Sequence, residues 1–247
     1  MVAAERMEQE LQRAREIQDY LLPTQGPPIP GYEVSGHSAP CQAVGGDYFD
    51  YIELPGGRYA LGLGDVAGKG LPAALLMASF QAGLDALCEM GLPPGETIGR
   101  LNRLLSRRIP QNRFVTFFFG VLDPERHTLT YVNAGQNPPC RVRASADVER
   151  LAATGPPLGL LANASFETRT LEILPGDVVV CFSDGATEGR GASDEEFGEG
   201  RLIDIVRQDL SASPEAIVNR VAAAVERHCA ASPRQDDITF VVLKRSA

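Results

Sequence analysis

DYFDYIELPGGRYALGLGDVAGKGLPAALLMASFQAGLDALCEM, residues 47–90, reads as two strands, a tight turn and an apolar helix. DYFDYIEL and RYALGLGD flank Pro55-Gly56-Gly57, the turn chemistry of a hairpin, so an antiparallel sheet starts here. The helix expected over 71–90 has Pro72 in its first turn, where the missing amide costs nothing, and Gly91 just past its end. Downstream, a second helix is expected over 95–108. FVTFFFGVLD and HTLTYVNAG then form strands around Pro124-Glu125-Arg126, followed by shorter strands near CRVRA, VERLA and ETRTLEI. DVVVCFSD, 177–184, is a buried strand, helices are expected near 200–210 and 214–229, and DDITFVVLK closes the chain as a strand. Upstream, YEVSGHS adds one more. Strand runs separated by paired helices predict an α+β fold: a central β-sandwich of two mainly antiparallel sheets flanked by pairs of helices.

Residues 3–22 contain neither Gly nor Pro, and Ala4, Met7, Leu11, Ala14, Gln18 and Leu21 recur at spacings of three and four, an a/d seam. Two readings stand, a helix laid on the core or a short coiled coil that dimerises or carries a signal. PTQGPPIPG, 23–31, ends the helix and marks a boundary. The chain therefore divides into an N-terminal linker helix, 1–25, and a globular domain, 26–247. The polar segment GATEGRGASDEEFGEG, 185–200, reads as a mobile, functional loop.

Composition removes several function classes. A formal charge of −9 with no Lys/Arg run argues against nucleic acid, whose phosphates call for clustered cations. Cys41, Cys88, Cys140, Cys181 and Cys229 sit singly, without zinc-site spacing or the even count of a disulfide framework, and read as reduced thiols. The polar N-terminus is unlike a signal peptide. No apolar stretch is expected to reach the ~18 residues of a membrane span, so no membrane insertion and a cytoplasmic location follow.

The chemistry concentrates in aspartates placed where apolar strands meet turns: Gly46-Asp47, Gly64-Asp65, Ser183-Asp184-Gly185 and Gln235-Asp236-Asp237. One Asp beside a Gly is ordinarily a turn residue; four in succession suggest a cluster. Clustered carboxylates at neutral pH need protons or cations to offset their charge, and an all-oxygen set favours Mg²⁺, Ca²⁺ or Mn²⁺. His37, His127 and His228 show no metal-ligand spacing and read as surface or structural residues. GLGDVAGKG is no P-loop, because Leu63 and Gly70 stand where Gly and Ser/Thr are needed; Lys69 reads as a solvated charge with at most a weak attraction for phosphate. No G-x-S-x-G occurs, which leaves metal-activated water as the better nucleophile.

AREIQDYLLP, VGGDYFDY, GDVAGKGLPAALLMA, FVTFFFGVLD, YVNAGQNPP, LEILPGDVVVCFSDGATE, FGEGRL and RQDDITFVVLK, taken in order, resemble the PPM metal-dependent protein phosphatases (protein phosphatase 2C-like), in their bacterial SpoIIE/RsbU branch. The resemblance spans about residues 10–245. It implies two Mn²⁺ or Mg²⁺ ions, bridged by Asp65 and completed by Asp47, the Val66 carbonyl, Asp184 and Asp236, with Asp237 supporting them from behind. It implies in-line attack of a water shared by the ions on phosphoserine or phosphothreonine. The implied substrate is a STAS-type anti-sigma-factor antagonist, and the N-terminal helix is implied to join a sensor domain or regulatory protein and to support a homodimer. Gln136 stands where many relatives carry His. The phosphate-holding arginine of eukaryotic members has no equivalent before Asp47, so phosphate binding falls to the metals and the 185–200 loop. Two other readings remain open: a non-catalytic partner-binding module with the same fold, and a two-metal phosphodiesterase.

Overall fold

The computed structural model describes residues 2–110, 112–230 and 234–246. Helix α1 (Val2–Leu21) leads into β1 (Tyr32–Ala39), β2 (Tyr48–Leu54) and β3 (Arg58–Val66), then α2 (Leu71–Cys88) and α3 (Pro94–Leu105). The middle of the chain is β4 (Val115–Asp123), β5 (Thr128–Ala134), β6 (Cys140–Val142), β7 (Val148–Arg150), β8 (Arg169–Glu172) and β9 (Val178–Phe182). It closes with α4 (Gly185–Glu188), α5 (Glu199–Arg207), α6 (Pro214–Cys229) and β10 (Ile238–Arg245).

Two five-stranded sheets result, ordered β1-β10-β9-β6-β7 and β2-β3-β4-β5-β8, and every neighbouring pair is antiparallel. The α+β sandwich expected from the sequence is the fold observed. Its apolar strands are continuous rather than alternating because both faces of each sheet are covered. In β4, Phe117 and Phe119 pack outward under α2 and α3, while Phe118 points between the sheets. In β9, Val178, Val180 and Phe182 face α5 and α6, while Val179 and Cys181 face the opposite sheet. Helix pairs thus cover both outer faces.

Phe117 also explains the glycines of β3. A Cβ on Gly62 or Gly64 would lie 2.8 Å from its ring, and that ring meets Phe80 of α2 edge-on at 4.8 Å. Helix α2 corrects one expectation, since its 18 residues have a mean hydropathy of 1.4, long and apolar enough to cross a membrane by length and composition. Here one face, Ala73, Met77, Phe80, Leu84 and Cys88, is buried against the sheet.

The second half of α1 lies on the domain, packed against α2. Of the seam, Gln18 is buried and Leu11, Ala14 and Leu21 are half-buried, whereas Met7 is exposed. The side chain of Ala4 lies outside the described residues. The segment 185–200 is more ordered in outline than its composition suggests. It opens with the single turn α4, Arg190 and Glu196 bridge across it, and Phe197 is buried among α5, α6 and the sheet.

Candidate metal centre

Strand pairing gathers the aspartates. The pairing of Tyr48 with Gly64 sets Asp47, just ahead of β2, opposite Asp65 near the end of β3. On the other sheet, β9 pairs with β10, and the Ser183 amide donates to the Thr239 carbonyl at 3.0 Å, which brings Asp184 beside Asp236 and Asp237. Both pairs lie at one end of the sandwich. Close approach depends on glycine: a Cβ on Gly46 would sit 3.0 Å from the Val66 carbonyl oxygen, and one on Gly185 only 2.2 Å from the Asp237 carbonyl oxygen.

Asp237 is an acceptor for backbone amides rather than an open carboxylate. Its oxygens receive the Cys41 amide at 2.7 Å, the Gly46 amide at 2.7 Å and the Asp47 amide at 3.4 Å. Such charge-assisted bonds are about twice as strong as neutral ones, so Asp237 fixes the loop that delivers Asp47. A second tie comes from α1. The Gln18 side chain donates to the Gly45 carbonyl at 2.8 Å and accepts from the Gly45 amide at 3.0 Å. Sequence reading placed Gln18 in a helix seam; that its amide copies a backbone pairing two residues from Asp47 was not visible there.

The electrostatics fit a cation-binding cluster. Asp47 is 4% exposed, and its Oδ2 has no hydrogen-bond partner among the described residues. Burial, reinforced by the charge of Asp65, pushes its carboxyl well above the usual range. Burial and the charges of Asp184, Asp236 and Asp237 push Asp65 up to about 7, and burial together with Asp236 pushes Asp184 up. Orphaned buried oxygens and mutually repelling carboxylates are what a divalent ion relieves. The residues present fit hard-cation binding. Asp65 thus lies near enough to Asp184 and Asp236 to feel their charges, and Asp47 to feel that of Asp65, with the Val66 carbonyl beside the Gly46–Asp47 turn.

Other residues differ from expectation. Lys69 is not a free solvated charge: its Nζ lies 2.8 Å from Asp236 Oδ2 and also donates to the Gln235 carbonyl. The Cys41 sulfur can approach Asp236 and Asp237, all three ligand atoms falling within 4.8 Å. Burial and Asp237 push that thiol up to about 11, so it stays protonated and is a poor ligand for a hard ion. Gln136 is buried and ties the sheets together behind Asp65, accepting from Thr116 Oγ1 at 2.6 Å and donating to the Phe182 carbonyl at 3.3 Å. It anchors structure at the position where the family resemblance sets histidine in many relatives. His228 stacks edge-on against Phe197, and His127 contacts the Tyr32 hydroxyl, both structural placements. Beside Asp236 opens a cleft of about 160 Å³ lined by Lys69, Gly185, Glu188, Arg190, Arg234 and Asp236, among others.

Comparison with known proteins agrees with this architecture. Residues 55–246 match the family model for Stage II sporulation protein E (SpoIIE). The chain is 29% identical to Protein IcfG of Synechocystis sp. over 96% of its own length and 42% of that protein. It is 27% identical to Phosphoserine phosphatase RsbU of Bacillus subtilis, covering 96% of this chain and 70% of that one. Among solved structures, the SiaA-PP2C domain of Pseudomonas aeruginosa superposes with a TM-score of 0.84 at 21% identity, covering 98% of each chain, a likeness of fold.

Proposed function

Because the chain belongs to the SpoIIE family, the SpoIIE/RsbU-type branch of the PPM protein serine phosphatases, we propose that its acidic edge is a two-ion centre for hydrolysing phosphoserine or phosphothreonine on a regulatory protein. The observation that carries this reading is the buried, unpartnered carboxylate oxygen of Asp47 beside Asp65, whose own carboxyl is pushed up by burial and by the charges of Asp184 and Asp236. Asp65 would bridge two Mn²⁺ or Mg²⁺ ions, with Asp47, the Val66 carbonyl, Asp184 and Asp236 as the remaining protein ligands. Bound ions of this kind offset phosphate charge and lower the pKa of water toward neutrality. The chain's own contribution is placement. Asp237 holds the Asp47 loop through three amides, Gly185 lets the Asp236–Asp237 segment pass Asp184, and Gln136 fixes the strand ends behind them.

The substrate we propose is a STAS-type anti-sigma-factor antagonist, by extension from the regulatory relatives. Residues 1–25 would act as a linker helix receiving a sensor or regulatory protein, and as a homodimer contact; Ile17 and Tyr20 offer exposed apolar surface there. Phosphate release from a phosphoserine peptide, compared with hydrolysis of a phosphodiester, with and without Mn²⁺, tests the reading. The expected result is Mn²⁺-dependent turnover of the monoester, abolished in Asp65→Asn and Asp184→Asn with the fold retained. Full activity in either variant, or preference for the diester, would overturn it.

A further inference from the structure

Lys69 is set apart from the other cations of the cleft beside Asp236. Arg190 is held by Asp194 and Glu196, and Arg234 by Glu226, none of them among the proposed metal ligands. Lys69 is held by Asp236 itself, 2.8 Å away, and by the Gln235 carbonyl. A divalent ion that takes Asp236 Oδ2 competes with Lys69 for that oxygen, so metal binding there would weaken or release this contact. The backbone fixes where the released side chain can go. Gly68 and Gly70, both at positive φ, shape the turn ahead of α2, and the Arg113 guanidinium donates to the Ala67 carbonyl within that turn. The turn is therefore pinned, the side chain is 41% exposed, and the space it borders is the cleft between Gly185 and Arg234.

We infer that Lys69 is a two-position cation, pairing with Asp236 in the metal-free protein and, once an ion takes Asp236, turning into the adjacent cleft to receive the phosphate of the substrate. The inference rests on reading the acidic edge as a metal-dependent phosphatase centre and supplies the phosphate-holding cation that no arginine ahead of Asp47 provides. An exposed ion pair of this kind is weak and readily displaced. An ammonium binds phosphate as a compact point charge, so an arginine in its place preserves the charge while changing the contact.

The test uses the full chain stripped with EDTA, as wild type, Lys69→Met and Lys69→Arg, with titration calorimetry of Mn²⁺ and then of inorganic phosphate into the Mn²⁺-loaded protein. Lys69→Met should bind Mn²⁺ at least about threefold more tightly, since the competing cation is gone. It should bind phosphate about tenfold more weakly, and Lys69→Arg should recover most of that loss. Equal melting temperatures in EDTA check that the variants fold alike. Unchanged Mn²⁺ affinity or unchanged phosphate affinity in Lys69→Met overturns the two-position role alone. If wild type itself fails to bind Mn²⁺, the metal reading of the edge falls first, and this inference with it.

Discussion

The two halves of the acidic edge are built differently. On the Asp47 side the carboxylate is buried, its loop is pinned by three amides to Asp237, and Gln18 of α1 clamps Gly45 from outside. On the Asp184–Asp236 side Asp236 borders a cleft and is held by a half-exposed lysine. One half is preformed by buried hydrogen bonds; the other is held by contacts that water and salt weaken. If the edge binds metal as proposed, one wall of ligands would be rigid and the opposite wall would be free to exchange Lys69 for an ion and then meet substrate.

The comparison breaks first at the carboxylates. Asp65→Asn and Asp184→Asn should each lower Mn²⁺-dependent turnover by roughly a thousandfold or more, because the first would weaken the hold on both ions and the second would remove a ligand from one. Their melting temperatures in EDTA should hold or rise, since each removes like-charge repulsion. Next comes the backbone. Gly185→Ala places a methyl 2.2 Å from the Asp237 carbonyl oxygen, which cannot swing away as a side chain would. Chemical denaturation should register a loss of about 1–3 kcal/mol, with weakened Mn²⁺ binding because Asp184 and Asp236 are forced apart.

The rigid half is probed by Gln18→Ala, which strips the Gly45 amide and carbonyl of their partners. Leaving such groups buried costs about 1–3 kcal/mol. If the clamp positions Asp47, Mn²⁺ affinity should also fall, whereas a change confined to stability would make it a structural tie alone. The smallest effect is on pH. A carboxyl raised from 3.8 to about 7, as for Asp65, keeps in the folded state a proton that the unfolded chain gives up, so stability is present at low pH and is lost as pH rises through about 7. Metal-free protein should therefore melt lower at pH 7.5 than at pH 5, and the Mn²⁺-induced rise in melting temperature should be larger at pH 7.5. Equal shifts at the two pH values would contradict the coupling of these carboxylates to the ion.

Much of this was legible in the sequence because its signals are local. Apolar runs, the Pro55-Gly56-Gly57 turn and Pro72 gave the hairpin and α2, and aspartates at strand ends, three of them beside a Gly, marked the four carboxylates. What escaped depends on contacts between distant segments. The bond from the Cys41 amide to Asp237 spans 196 positions, and that from Gln18 to Gly45 spans 27, and neither has a periodic signature. Lys69 read as solvated because its partner lies 167 residues away, and the polar composition of 185–200 concealed Phe197, a single apolar anchor that seats the segment in the core. The membrane-length apolarity of α2 was missed because Ser79, Gln81 and Asp85 interrupt the apolar run while the average over its 18 residues still reaches 1.4.

The central claim is that aspartates from two facing sheets form one divalent-cation site. Titration calorimetry of Mn²⁺ into EDTA-stripped protein at pH 7.5, for wild type and Asp65→Asn, tests it most directly. The account predicts saturable binding to wild type with two ions per chain and loss of that binding in Asp65→Asn, whose melting temperature in EDTA holds or rises. Binding that is absent from wild type, or equally tight in the variant, would contradict it.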